Sequence, residues 1–388
     1  MARVMIVGSG WRFTSGISYY TCRLSNELSA EHEVAALLMR GLVPEQAYPG
    51  RARVGREVHS ATDYLPEVDV YEGVDWSWGR SLLDGLRFLR DFRPDVVVFQ
   101  WWTGAVLHTY RMLAAQARRL GARVVVEFHE VQDTGEIKVP LVRDYVRWGL
   151  PRLLDKCDGF VLHSDFDRDL LRSAYRLPGV PTVIVPHGPY DQHRPPAPTP
   201  RPGHEPVRLL FFGTIRPYKG LEDLVSAFDL IAAEEPDAYR LRVVGETWEN
   251  WQLPLDLIRR SPHRELISLT NRYVDDKEVA AAFAGADVVV LPYRRSSSSG
   301  PLHIAMAAGL PTVVTGVGGL VEAAAGYAGV VHVPPADPVA LAAGIRAAAK
   351  LKGRTFADAR SWDDTRAAVR ALLGELGIAT PVRTGGAR

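Results

Sequence analysis

An α/β chain of two doubly wound, parallel-sheet domains is what the sequence predicts, on three observations. Short apolar runs alternate with amphipathic segments from the first residues, a proline-crowded stretch breaks that rhythm near the middle, and the alternation then restarts. A short apolar run followed by a 3.6-period pattern is a βα unit, and a succession of such units folds into a parallel sheet covered on both faces. The length of 388 residues, 47% of them hydrophobic and 23% charged, also exceeds what one compact core accommodates.

In the first domain, residues 1–188, the strand-like runs are "RVMIV", "EVAALLM", "DVVVFQ", "ARVVVEF", "DGFVLHS" and "PTVIVPHG", with a helix pattern over residues 15 to 30 behind the first. Residues 189–206, "PYDQHRPPAPTPRPGHEP", cannot propagate a helix or a central strand and read as a semi-rigid linker. The second domain, residues 207–360, repeats the rhythm with "VRLLFFG", "YRLRVVG", "ELISLT", "ADVVVLPY", "PTVVTG" and "GVVHV". A last helix over 361–377 opens with Ser361 as N-cap and two acids in its first turn, and is expected to cross back to the first domain. Residues 378–388 read as a disordered tail.

The balance of charge excludes several partners. A net charge of +1 leaves no basic footprint for a nucleic acid. The start "MARVMIVGSG" is too short in apolar residues for a signal peptide and no run reaches membrane-spanning length, so a cytoplasmic protein is expected. Cys22 and Cys157 have no metal-binding or disulfide spacing and read as buried thiols. Only six of the 46 basic residues are lysine, a bias associated with GC-rich bacterial genomes.

Candidate chemistry gathers at strand ends, where open α/β sheets bind ligands. In "LLFFGTIRPYKGLEDLVSAF", Gly213 ends a strand and lets the backbone approach a ligand, while Arg216 and Lys219 stand at the mouth of a helix whose free N–H groups favour an anion. Two fixed cations there suit a diphosphate. In "YRRSSSSGPLHIAMAAGLP", Ser298, Ser299, Gly300 and Leu302 offer hydroxyls and backbone N–H groups at a second helix start, with Pro301 suited to the first helical position. A third loop, "TGVGGLVEAAA", places Gly316, Gly318 and Gly319 before a helix and Glu322 in its first turn.

The amino-terminal loop nearly offers the dinucleotide fingerprint, but Phe13 stands where its third glycine belongs. Ser15 and Gly16 open the next helix and are expected to line a cleft between the domains. His129 and Glu130 follow "VVVEF" at another strand end, where a histidine is either a structural hydrogen-bonding group or a catalytic one. Trp101 and Trp102 form either a stacking wall for a ligand or part of the core, and Trp248 and Trp251 also lie near a strand end. "RDYVRWGLPRLLDK" carries a basic amphipathic face; a peripheral membrane contact is one reading and a packed helix with a solvated side the plainer one.

Together these residues resemble the retaining, nucleotide-sugar-dependent glycosyltransferases of the GT-B fold, the large "glycosyl transferases group 1" family (glycosyltransferase family 4 type). The likeness is carried by "FFGTIRPYKGLEDLVSAF", "LRVVGE", "ADVVVLPYRRSSSSGPLHIAMAAGLPTVVTGVGGLVE" and the "SWDD" helix, and in the first half by "TSGISYYTCRLSNELS", "VEFHE", "VLHSDFDRDLL" and "VIVPHG". It implies two Rossmann-like domains facing across a cleft, with the acceptor on the first and the donor on the second. Arg216 and Lys219 would hold the donor diphosphate and His129 would face the donor sugar or the acceptor. Gly16, Gly213, Gly245, Ser298, Ser299, Gly300, Leu302 and Glu322 would line the donor. The partners implied are a nucleotide-sugar donor, as co-substrate rather than cofactor, and a small hydroxylated acceptor. No metal is implied, in keeping with "DFD" at 165–167 reading as helix capping. Retention would follow a front-face route in which the leaving phosphate oxygen takes the acceptor proton.

One departure bears on the donor. The family's two glutamates, eight positions apart, are replaced by Ser296 and Ile304, and the Ser-Gly loop resembles a subfamily with that pair there. A donor lacking the hydroxyl that the first glutamate would grip, such as a deoxysugar or an amino sugar, is the expectation. Two other readings stand beside the transferase. One is a partner or binding protein that lost its activity with its glutamates. The other is a nucleotide-sugar epimerase using Glu130, Asp133 and Glu136.

Overall fold

The computed structural model describes residues 1–10, 16–42, 63–131, 139–185, 187–190 and 205–378. Phe13, Ser15, Asp133 and Glu136, most of the proline-rich stretch and nearly all of the tail lie outside them. The chain divides into two compact units: Met1–Gly188 with the segment that begins at Ser361, and Pro189–Arg360.

The first unit is a seven-stranded sheet, parallel throughout, in the order β3-β2-β1-β4-β5-β6-β7. Its strands are β1 (Arg3–Ser9), β2 (Glu33–Gly41), β3 (Val68–Asp75), β4 (Val96–Trp101), β5 (Arg123–Phe128), β6 (Gly159–Leu162) and β7 (Thr182–Ile184). Helices α1 (Gly16–Ser29), α2 (Gly79–Phe92), α3 (Leu107–Arg119), α4 (Pro140–Leu154) and α5 (Asp165–Ala174) connect them. The strands read as unbroken apolar runs because both faces are buried. Met5 and Val7 pack on one side, and Val4 and Ile6 on the other.

The sequence reading missed β3. It is one of the two edge strands, and "VDVYEGVD" leaves Asp69 and Val70 exposed, so it has neither the apolar run nor a clean alternation.

The second unit is a six-stranded parallel sheet in the equivalent order, β10-β9-β8-β11-β12-β13. It contains β8 (Val207–Phe212), β9 (Tyr239–Val244), β10 (Ile267–Thr270), β11 (Val288–Leu291), β12 (Thr312–Thr315) and β13 (Val330–Val333). Its helices are α6 (Leu221–Glu234), α7 (Leu253–Arg260), α8 (Asp276–Ala284), α9 (Gly300–Ala307), α10 (Gly319–Ala323) and α11 (Pro338–Ala349). The order reverses between β1 and β4 in one sheet and between β8 and β11 in the other, and such reversal points open a crevice at the carboxyl ends of the strands.

The final helix, α12 (Trp362–Glu375), belongs to the first unit. Ser361 caps it in a capping box with Asp364. Arg370 pairs with Glu31, Arg366 with Glu27, and Trp362, Leu372 and Leu373 are buried in the face that holds Val125, Val161 and Val185. The Trp362 ring lies so close over Gly188 that a Cβ there would come within 2.6 Å of it. In α5, Ser164 is the N-cap and accepts from the Asp167 amide at 3.0 Å, so "DFD" stands at a helix start. Cys22 and Cys157 are both buried and unbridged.

Candidate functional site

Three loops of the second unit meet at the reversal point. After β8 the chain turns through Gly213, whose φ of 124° only glycine tolerates readily. Ile215 then pairs beside the chain that leaves β9, donating to the Glu246 carbonyl at 2.8 Å and accepting from Trp248 at 3.0 Å. Gly245 is a glycine for an internal reason: a Cβ there would stand 1.8 Å from the Gly213 carbonyl oxygen. Its neighbour is backbone, which cannot move aside.

Arg216 and Lys219 bracket a short 3-10 turn, Pro217–Lys219, and Gly220 at φ 63° leads into α6. Lys219 is only 7% exposed, and its Nζ lies 3.7 Å from the centroid of the Tyr293 ring. The aromatic face receives the ammonium that burial has stripped of water. Arg216 is also largely covered; its Nε donates to Glu249 at 2.7 Å, and its guanidinium lies 5.3 Å from the Tyr218 ring and 5.6 Å from that of Trp248.

The loop after β11 is tied to the first. The Arg294 amide donates to the Tyr218 carbonyl at 2.8 Å, and the Arg294 guanidinium engages Asp223 and Glu222, each at 2.8 Å, at the start of α6. Desolvation raises the Glu222 carboxyl above the usual carboxylate range, with Arg294 pulling the other way. Ser299 caps α9, accepting from the Leu302 amide and donating to the Tyr293 hydroxyl, both at 3.3 Å. Burial pushes the Tyr293 hydroxyl far above its ordinary range, so it stays protonated. Gly300 has nothing within 4 Å of a hypothetical Cβ.

Ser298 and His303 lie 3.3 Å apart, and the other imidazole nitrogen of His303 accepts from Arg360, which Asp358 holds at 2.6 Å. The Ser296 carbonyl accepts from the Gly319 amide at 3.0 Å, joining this loop to the start of α10, where Glu322 is exposed. At the positions of the family's glutamates, the Ser296 hydroxyl donates to the Ser298 carbonyl at 2.7 Å and Ile304 is buried in α9.

The other two predicted site residues belong to the first unit. Gly16 is the exposed first residue of α1. His129 follows β5, is 7% exposed, and is held neutral, its pKa pushed well below the ordinary range by burial and by His163 and His187. Glu130 is half-buried beside it.

Around His129 is a buried polar cluster that sequence reasoning did not find. Gln100 and Glu127 are register partners on β4 and β5. The Gln100 amide donates to Glu127 at 2.7 Å, and the Tyr20 hydroxyl donates to it at 2.5 Å. His163 and His187 follow β6 and β7 in the same neighbourhood, with ring centroids 4.9 Å and 6.0 Å from that of His129. The legible signal was Gln100 and Glu127 at matching ends of "VVVFQ" and "VVVEF", since a polar side chain in a strand buried on both faces needs a partner.

Of the tryptophans, Trp101 is buried in the core, and Trp102 is half-buried against it with its ring 6.5 Å from Tyr110. Helix α4 buries Leu150, Leu153 and Leu154 while Leu141 and Trp148 are exposed. Among the described residues no helix is long and apolar enough to cross a membrane.

Comparison with known proteins agrees with this layout. The family model "Glycosyl transferases group 1" matches residues 206–350, and "Glycosyl transferase 4-like domain" matches residues 15–188. A glycogen synthase of Mycobacterium tuberculosis is 30% identical over 271 residues, 66% of this chain and 60% of that protein. A mannosylfructose-phosphate synthase of Agrobacterium fabrum is 25% identical over 302 residues, 70% of this chain and 64% of its own. The chain thus spans somewhat under two thirds of these relatives. Among solved structures, the sucrose-phosphate synthase of Thermosynechococcus elongatus superposes with a TM-score of 0.65 at 18% identity, covering 97% of this chain and 98% of that one. Anabaena HepE in complex with UDP-glucose gives 0.66 at 12% identity, covering 96% and 100%. These likenesses show the GT-B fold. The chain thus carries a glycosyl transferase 4-like domain over residues 15–188 followed by a glycosyl transferases group 1 domain over residues 206–350.

Proposed function

We propose that the protein moves a sugar from a nucleoside diphosphate to a hydroxyl of a small natural product or nascent saccharide, with retention at the anomeric carbon and with no divalent cation at the diphosphate. The observation that carries this reading is the buried Lys219 ammonium, held over Tyr293 at the reversal point of the sheet, with Arg216 three residues before it. As the bond between the anomeric carbon and the phosphate oxygen breaks, negative charge gathers on the departing diphosphate. Two cations already fixed in a water-poor site stabilise that charge more than the ground state, a contribution of about 3–4 kcal/mol per well-placed group. The capped start of α9 adds backbone N–H groups for the same anion.

Retention by the front-face route asks for no side-chain nucleophile. The acceptor oxygen bonds to the anomeric carbon from the side the phosphate leaves, and the acceptor proton passes to the departing phosphate oxygen. The acids nearest the two cations fit this reading: Glu222 and Asp223 are committed to Arg294, and Glu249 to Arg216. His129, buried and neutral, serves in this reading as a positioning residue and not as a source of charge. That HepE was solved with UDP-glucose, and that the relatives include a glycogen synthase and a mannosylfructose-phosphate synthase, supports a nucleotide-sugar donor.

The test is thermal unfolding with UDP, GDP, dTDP and ADP, for the wild type and for Lys219→Ala. A ligand of the folded state raises the midpoint by mass action. One nucleotide stabilising the wild type but not Lys219→Ala supports the clamp and names the base. No stabilisation by any of the four at millimolar concentration overturns the reading.

A further inference from the structure

His129, His163 and His187 follow three adjacent parallel strands, β5, β6 and β7, and each offers a ring nitrogen within 4.8 Å of the others. Their tautomers follow from their partners. His163 Nδ1 lies 2.8 Å from the Val185 carbonyl and His187 Nδ1 3.2 Å from the Gly188 carbonyl. A carbonyl only accepts, so both Nδ1 atoms carry the proton and each Nε2 carries a lone pair. Gln100 turns its NH2 to Glu127, so the oxygen it presents to His129 Nε2 is also an acceptor, and His129 keeps its lone pair on Nδ1.

Three imidazoles each hydrogen-bonded through one nitrogen to an oxygen, with a ring nitrogen of each within 4.8 Å of the others, have the arrangement of metal-ligating histidines. A second observation points the same way. The His163 side chain is only 4% exposed, and its Nε2 has no hydrogen-bond partner. Its nearest charged neighbour is Glu127 Oε1 at 3.6 Å, beyond hydrogen-bond reach, and both Glu127 oxygens already accept, from Tyr20 and Gln100. A proton on His163 Nε2 would serve one ring and leave a buried cation beside two more imidazoles. A single metal ion serves all three, with the Glu127 carboxylate offsetting its charge.

We propose that His129, His163 and His187 bind one divalent transition-metal ion of the zinc class, clamping the carboxyl ends of β5, β6 and β7. Three neutral nitrogens suit zinc and cobalt and do not suit magnesium or calcium, which take oxygen ligands. The three ligands all belong to the first unit and the proposal uses neither Arg216 nor Lys219; the one residue it shares with the transfer reading is His129, which it assigns to the metal.

The test uses the full chain, purified without a histidine tag, stripped with a chelator and titrated with Co2+ alone. The expected result is one equivalent bound with the visible d–d bands of a tetrahedral or five-coordinate nitrogen site, displaced by Zn2+ and unaffected by Mg2+. Zn2+ should also raise the unfolding midpoint of the stripped protein. His163→Gln and His187→Gln should each abolish the bands while far-ultraviolet circular dichroism stays as in the wild type. If either variant fails to fold, metal content of the wild type decides, at one zinc per chain when expressed in zinc-replete medium. Absence of the bands together with no zinc in the purified wild type overturns the proposal. Bands that survive in both folded variants overturn it equally.

Discussion

Glu249 holds the guanidinium of Arg216 at 2.7 Å, so one of the two cations proposed for the diphosphate already has an anionic partner. Glu249 and Asn250 both adopt left-handed backbone, φ 58° and 53°, at a cost of about 1–2 kcal/mol for a residue other than glycine. The loop thus spends conformational energy around a carboxylate paired with Arg216, and an anion that binds Arg216 would meet a guanidinium whose charge Glu249 already offsets.

Removing that competition should strengthen nucleotide binding. Glu249→Gln is expected to bind the stabilising nucleotide roughly fivefold tighter, the equivalent of about 1 kcal/mol for a partly exposed ion pair. Isothermal titration measures it, and equal or weaker affinity shows that Glu249 positions Arg216 for the ligand instead of withholding it.

Tyr293 supports Lys219 by its ring and Ser299 by its hydroxyl, and two substitutions separate these roles. Tyr293→Phe keeps the face under Nζ and should leave nucleotide affinity within about twofold, whereas Tyr293→Leu should weaken it about tenfold for a desolvated cation–π contact. Equal losses in both would place the effect in the hydroxyl and the Ser299 cap.

Two glycines of the same edge should respond oppositely to alanine. In Gly245→Ala the new Cβ meets the Gly213 carbonyl at 1.8 Å, and overpacking against rigid backbone should cost about 3 kcal/mol or more. Gly300→Ala meets nothing within 4 Å and should stay within about 0.5 kcal/mol. Urea unfolding of the two variants compares them directly.

Both cysteines should be inert in the native protein. Burial pushes the Cys22 thiol up to about 12, aided by Asp63, and raises that of Cys157 still further. Since the thiolate is the nucleophile, iodoacetamide at pH 8 should label neither residue natively and both in urea. Rapid native labelling of either would show that its helix opens readily.

An expectation about the donor rests on the missing carboxylates. With the Ser296 hydroxyl spent on the Ser298 carbonyl and Ile304 buried, neither position presents a carboxylate to the sugar. A deoxysugar or amino-sugar donor should therefore show a higher kcat/KM than the corresponding ordinary hexose. Equal or better turnover of the hexose removes this expectation while leaving the diphosphate clamp intact.

The parallel sheets were legible because strands buried on both faces must be apolar along their whole length, as in "VMIV" and "VVVL". Where one side of a strand meets solvent, as at Asp69 and Val70 of β3, that signal is lost. The cap at Ser361 could be read from local chemistry alone, whereas Ser299, read as a ligand-facing hydroxyl, turns out to cap α9. The loop that carries Lys219 showed itself as cations at a helix mouth, but the Tyr293 ring beneath it lies 74 positions later and arrives only through the pairing of β8 with β11. The histidine cluster was invisible for the same reason. His129, His163 and His187 are dispersed along the chain and become neighbours because β5, β6 and β7 lie side by side.

Because α12 packs on the sheet that holds β5, β6 and β7, the first unit is completed by residues made last. Trp362, Leu372 and Leu373 cover Val125, Val161 and Val185, and none of the three exists while residues 189–360 are being synthesised. At elongation rates of about 5–20 residues per second, that interval is roughly nine to thirty-four seconds. For that time the nascent first unit carries a bare apolar strip on one face, while the second unit, one uninterrupted segment, can close as soon as it leaves the ribosome. The first unit therefore stays incomplete long after its own seven strands have been made, and a chain cut before residue 361 should leave that strip bare and depend on chaperones.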